Sequence, residues 1–218
     1  MDTTSQQLKH ACFEGDLNEV QRLIEAGADV NGTDEYGSGT LLIFHPEIIE
    51  YLLSHGADPD IQTNENGASV LAGLSYVNQV ECVRVLLHHG ANPNRGRDES
   101  GETPLHHALA GNKPDRFALV KLLLDHGADP NARTIPGIDS SNFWRHARTR
   151  GETPLHRAAA YSSKETIQFL LAAGADRTLR DANGDWPVSW ASWHLRPKQI
   201  VDLLNFDPDG HDVSIPVV

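Results

Sequence analysis

An all-α solenoid of about six stacked helix pairs is the fold this sequence predicts, and three observations carry it. The phrase "SGETPLHHALA" at 100–110 returns almost unchanged as "RGETPLHRAAA" at 150–160, so the chain repeats a structural unit. A second phrase recurs five times, as "EAGAD" ending at Asp29, "SHGAD" at Asp58, "HHGAN" at Asn92, "DHGAD" at Asp129 and "AAGAD" at Asp176. Each of these follows an apolar stretch with helical spacing, such as "VKLLL" or "IQFLL". Six units result, beginning near residues 5, 34, 64, 98, 148 and 181.

The segment 151–176 shows why one unit makes two helices. Thr153 is a good N-cap, because its hydroxyl can accept from an amide of the first turn. Pro154 follows at the first helical position, where its missing N–H costs nothing. Ala158, Ala159 and Ala160 keep this helix thin, so that a neighbour can approach closely. "KETIQFLLAA" predicts a second helix with Ile167, Leu170 and Leu171 on one face, and Gly174 fits the left-handed residue that ends it. One such pair cannot bury its apolar face, whereas stacked copies share a continuous core.

Taken in order, residues 1–33 form an N-terminal capping unit that lacks the Thr-Pro-Leu-His phrase and is polar. Residues 34–133 hold units two to four. The second is short: Gly37 to Gly56 is 19 residues against 23 from Gly151 to Gly174, so its first helix must be compressed, with Pro46 starting the second. In the fourth, His106 to Gly127 is 21 residues against 18 from His156 to Gly174, so "GNKPDR" lengthens the loop between its helices. Gly101 to Gly151 is 50 residues whereas Gly151 to Gly184 is 33, and the excess of 17 is "TIPGIDSSNFWRHARTR", residues 134–150. Pro136, Gly137, Ser140, Ser141 and Asn142 argue against a helix in its first half. Its second half carries Phe143, Trp144, Arg145, His146, Arg148 and Arg150, which leaves the segment at +2. Residues 151–206 hold unit five and a C-terminal capping unit, and 207–218 form a tail. In the sixth unit Trp186 replaces Thr153, Trp190 replaces Arg157, and Trp193 and His194 replace Ala160 and Tyr161.

The combination of "ETPLH" at 102–106 and 152–156, the Gly-Ala-Asp turns and a period near 33 resembles the ankyrin repeat, over about residues 5 to 206. The resemblance implies antiparallel helix pairs with β-hairpin fingers at roughly right angles, and a concave face of fingers and first helices on which members usually bind partners. It implies a binding module sooner than an enzyme. Residues 134–150 then form an inserted finger, and Tyr161, Trp193 and His194 face it across the groove. Exposed aromatics beside arginines are the composition of binding hot spots, so Phe143, Trp144, Arg145, Arg148, Arg150, Arg157, Tyr161, Trp193 and His194 are the expected binding residues. Trp186 and Trp190 are read as covering the open end of the core. Deletion of 134–150 would restore a near-regular period and is expected to leave stability little changed.

Composition narrows the function. At a formal net charge of −12 the chain repels a phosphate backbone, so nucleic-acid binding is not expected. No apolar run approaches the ~18 residues of a membrane span, and the polar, acidic start does not read as a secretory signal. The two cysteines, Cys12 and Cys82, lie in helical patterns and suggest buried thiols in a reducing, cytoplasmic setting. Most of the twelve histidines have structural explanations: His106 and His156 belong to the repeat phrase, and His55, His89 and His126 precede a helix-ending glycine. No pair has metal-ligand spacing, so neither metal nor cofactor is expected. Glu102, Glu152 and Asp185 occupy equivalent positions and read as a solvated acidic row.

Two functions follow. The first is a monomeric module that binds a protein partner in the groove of units four to six, under the inserted finger, with an acidic group beside an apolar one as the preferred ligand chemistry. The alternative is a small-molecule-binding protein or hydrolase at the same corner, with Glu152, His156 and His194 as the catalytic set.

Overall fold

The computed structural model describes residues 3–33, 40–61, 68–96, 99–110, 116–140 and 148–206. Among these are eleven α-helices. The first helices of the units are α1 (Thr3–Glu14), α4 (Val70–Tyr76), α6 (Pro104–Ala108), α8 (Pro154–Tyr161) and α10 (Pro187–Trp193). The second helices are α2 (Leu17–Glu25), α3 (Pro46–Ser54), α5 (Val80–His88), α7 (Phe117–Asp125), α9 (Lys164–Ala172) and α11 (Lys198–Leu204). First helices pack on first helices, α4 on α6, α6 on α8 and α8 on α10. Second helices pack on second helices from α2 through α3, α5, α7 and α9 to α11. The core between the two rows is continuous and aliphatic, from Leu8, Val20 and Leu23 through Leu71, Leu86, Leu105 and Leu119 to Leu155, Ile167, Leu170, Ile200 and Leu204.

Among the described residues, the unit with no helix in its first position is the second. Thr40–Phe44 is a turn and a bend, and Pro46 opens α3 as expected. Leu41 and Ile43 still reach the core.

Every second helix from α2 to α9 ends the same way. Gly27, Gly56, Gly90, Gly127 and Gly174 all lie at positive φ, a conformation that a side chain would strain. The alanine after each returns its N–H to a carbonyl five residues back, as Ala175 does to Leu170 at 2.9 Å. These turns are then tied laterally. The Asn131 side chain donates to the Gly174 carbonyl at 2.9 Å and accepts from the Asp176 N–H at 2.8 Å. Asn94 spans Gly127 and Asp129 in the same way, and Asn31 spans Gly56 and Asp58. At the corresponding place in unit two stands Asp60, which accepts from the Asn92 N–H at 2.9 Å but has no amide to donate.

Among the described residues of the fingers no strand forms, and the backbone bonds there include Thr134 N–H to the Glu152 carbonyl, Gly137 N–H to the Thr149 carbonyl and Ala182 N–H to the Arg150 carbonyl. The one bridge in the insert region pairs Asp139 with Arg148. The loop "GNKPDR" lies, all but Arg116, outside the described residues.

Candidate functional site

The corner between units four, five and six is built on a buried ion cluster. Arg157, in α8, has no exposed side-chain surface. Its Nη2 donates to Glu102 Oε1 at 2.7 Å and to Glu152 Oε1 at 2.6 Å, its Nε to Glu152 Oε1 at 3.1 Å, and its Nη1 to the His106 carbonyl at 3.2 Å. The remaining carboxylate capacity is also filled. Ser140 and Ser100 hydroxyls donate to Glu102, and the Thr134 hydroxyl and Arg150 N–H donate to Glu152, at 2.6 to 3.0 Å. Burial pushes both carboxyls up, but the Arg157 charge and these hydrogen bonds outweigh it and hold each at about 2.

Two histidines brace the same corner. His106 Nδ1 pairs with the Thr103 N–H and hydroxyl while its Nε2 reaches the Glu152 carbonyl of the next finger at 3.2 Å. His156 repeats the arrangement with Thr153 and the Asp185 carbonyl at 3.0 Å. Burial drives His106 down to about 3 and lowers His156 as well, so both are neutral braces at pH 7.

Above the cluster opens a cleft of about 200 Å³, lined by Arg148, Arg150, Glu152, Tyr161, Trp190, Trp193 and His194. Its floor is rigid. Trp190 donates its indole N–H to the buried Asp181 at 3.1 Å, stands edge-on to His156, and lies beneath the Arg150 guanidinium at 5.9 Å. Its rim is exposed. Tyr161 and His194 meet edge-to-face at 4.7 Å, and burial together with the Arg196 charge pushes His194 down, which favours the neutral ring. Trp193 is 53% exposed, and Leu195, which follows α10 and is not among the lining residues, 91%. Leu195 also holds a left-handed φ of 51°, at the end of a first helix where the equivalent turn in unit one uses Gly15. A bulky residue there costs about 1–2 kcal/mol of strain. Arg196 borders an adjoining cavity with Ala160, Tyr161 and His194.

Five expected binding residues therefore meet in one cleft: Arg148, Arg150, Tyr161, Trp193 and His194. Arg157 is a correction. It faces inward because two carboxylates from adjacent fingers converge on its position, and it is not available to a ligand. The same finding removes the solvated acidic row, since Glu102 and Glu152 are buried. Phe143, Trp144 and Arg145 lie outside the described residues. The expected catalytic set does not form a working group. Glu152 is a saturated carboxylate at about 2, and both ring nitrogens of His156 are committed to structural bonds, which leaves His194 alone at the rim. Trp190, read as an end cover, is buried and also floors the cleft.

Among the described residues no helix is long and apolar enough to cross a membrane, and no cluster of three or more His, Cys, Asp or Glu could hold a metal.

Comparison with known proteins agrees with this architecture. Ankyrin repeats in three copies match residues 43–134, and ankyrin repeats in many copies match 113–171. Ankyrin repeat domain-containing protein 40 of Homo sapiens is 38% identical over 65 residues, which is 28% of this chain and 18% of that protein. Rabankyrin-5 of Homo sapiens is 43% identical over 63 residues, 28% of this chain and 5% of that one. The matches thus span less than a fifth of the length of these relatives. A chain from the solved complex of Bd0816 predatory endopeptidase from Bdellovibrio bacteriovorus with immunity protein Bd3460 superposes with a TM-score of 0.71 at 24% identity, covering 92% of this chain and 97% of that one. That likeness concerns the fold.

Proposed function

Because this chain belongs to the ankyrin repeat family, whose arrays are in general protein-interaction modules, we propose that it binds a protein partner at the cleft between units five and six. The observation that carries the reading is the cleft's composition. Two exposed arginines stand beside three aromatic rings, in a chain whose net charge is −12. Arginine binds carboxylates through its planar fork, and an aromatic wall next to it favours an apolar neighbour on the ligand. The fitting ligand is a peptide segment with an acidic residue beside an aromatic or aliphatic one. In this reading the chain acts as a monomer in the cytoplasm, with 1–33 and 181–206 as its end units and 134–150 as the finger over the groove.

A peptide-display selection on the full chain tests this, with affinities of the selected peptides measured against wild type, Arg148→Ala/Arg150→Ala and Trp193→Ala. Selected sequences should pair an acidic with an apolar residue. The double arginine variant should bind about tenfold more weakly or worse, and Trp193→Ala comparably, with melting temperatures unchanged. Equal affinities across the three proteins would place the ligand elsewhere.

A further inference from the structure

The cleft has a candidate occupant within its own chain. Residues 207–218 read "DPDGHDVSIPVV": Asp207, Asp209 and Asp212 without a single Lys or Arg, then Val213, Ile215, Val217 and Val218. An acidic run followed by an apolar one is the chemistry that Arg148 and Arg150, set beside Trp190 and Trp193, would select. We infer that residues 207–218 occupy this cleft as an internal competitor, so that a partner binds only by displacing them. The inference rests on the binding reading above and adds its regulation.

Reach supports it. Phe206 stands edge-on to Trp186 at 5.5 Å, and Trp186 is the N-cap of α10, the same helix that carries Trp190 and Trp193 into the cleft. Seven helical residues separate Trp186 from Trp193, about 10 Å along the axis. Six extended residues from Asp207 to Asp212 span up to about 20 Å. That length is enough for the aspartates to reach Arg150 and Arg148, and for Val213 and Ile215 to reach Trp193. Charge supports it too. Arg148 has an exposed partner in Asp139 at 3.5 Å, a pair that solvent weakens, so a second carboxylate can compete for it. Arg196, at the adjoining cavity, extends the basic rim on the same side.

Exposed ion pairs are individually weak, so the segment in trans should bind with a dissociation constant on the order of 100 µM. Tethering supplies an effective concentration of about 1 mM, which makes the closed form about tenfold favoured. External ligands then lose about tenfold in apparent affinity.

The experiment uses the full chain and a fluorescein-labelled synthetic peptide of residues 207–218. The receptors are wild type, the tail-neutralised chain Asp207→Asn/Asp209→Asn/Asp212→Asn, and that chain with Arg148→Ala/Arg150→Ala added; melting temperatures verify folding. The peptide should bind the tail-neutralised chain about tenfold more tightly than wild type, and the added arginine changes should cost at least tenfold. Equal binding to wild type and the tail-neutralised chain, or no binding to either, overturns the inference. A display-selected peptide run in parallel separates the two readings. If it still requires Arg148 and Arg150 while the 207–218 peptide does not bind, self-occupancy is wrong and the partner site stands. If the selected peptide ignores the arginines, the partner site itself is wrong.

Discussion

Units two and five have the same place in the stack and are held in it by different forces. Unit two has lost its first helix to a turn, exposes Leu42 and Phe44, and stays in register through the apolar side of α3, where Ile48, Ile49, Leu52 and Leu53 are buried. Unit five keeps its helix, capped by Thr153, and places in it an arginine and a histidine whose polar atoms are matched one by one to groups of units four, five and six. Burial of aliphatic surface is non-directional, so it survives the loss of a turn. A buried charge survives only with its partners in place. The array therefore tolerates decay where its glue is apolar and cannot where it is ionic, and the ionic stretch is the one beneath the cleft.

The comparison breaks if Arg157→Ala proves mild. That change strands two buried carboxylates and should cost about 3–5 kcal/mol in urea unfolding, whereas Phe44→Ala in unit two should cost less than about 1 kcal/mol. Similar costs would mean that the ion cluster is not what distinguishes the two regions.

Deletion of 134–150 comes next. It removes the Thr134 and Ser140 hydroxyls from the carboxylates. Hydrogen bonds to buried charges set the cost, at about 2–4 kcal/mol, which replaces the near-zero change expected from the period alone. Chemical denaturation of the shortened chain measures it.

Acid sharpens the contrast in a different way. Glu102 and Glu152 sit at about 2 against an ordinary 4.5, and His106 at about 3 against 6.5, with His156 also lowered. For such depressed groups the folded state binds fewer protons than the unfolded one. Their contribution is present above the ordinary values and lost as pH falls through the folded ones. Stability should decline from about pH 6.5 down to about pH 2. The gap between wild type and Arg157→Ala should narrow as pH falls, beginning above pH 4.5, because burial without the arginine raises the stranded carboxyls and neutralises them first. A constant gap across a pH series of melts would contradict the assignment.

The smallest effect lies in unit two. Asp60→Asn would supply the amide that Asn31, Asn94 and Asn131 already use, and should add about 0.5–1 kcal/mol of stability if its neighbours accept the same geometry. A loss instead would show that the decayed unit has settled into a spacing of its own.

The stack was legible because its signals are local. A threonine before a proline starts a helix, and a glycine after an apolar run ends one, wherever they stand. The cleft was half legible. Arg148, Arg150, Tyr161, Trp193 and His194 were found from composition and repeat position, since aromatic and basic residues out of pattern are visible in one dimension. The inward turn of Arg157 was not, because it depends on Glu102, 55 residues away, and only the three-dimensional stack makes the two neighbours. The asparagine bridges were present in the repeated phrases at Asn31, Asn94 and Asn131 and went unread, because their partners are backbone groups that every residue has.

Those bridges carry one more implication. Asn94 reaches a glycine 33 residues on and Asn131 one 43 residues on, with bonds of 3.0 and 2.9 Å. The clasp is indifferent to how much chain is looped out between its two halves. Such an architecture works as a ruler whose graduations are the glycine turns, while the fingers are free text between the marks. Selection, or an engineer, can rewrite a finger to change what the groove recognises without altering the pitch at which a long ligand must read it.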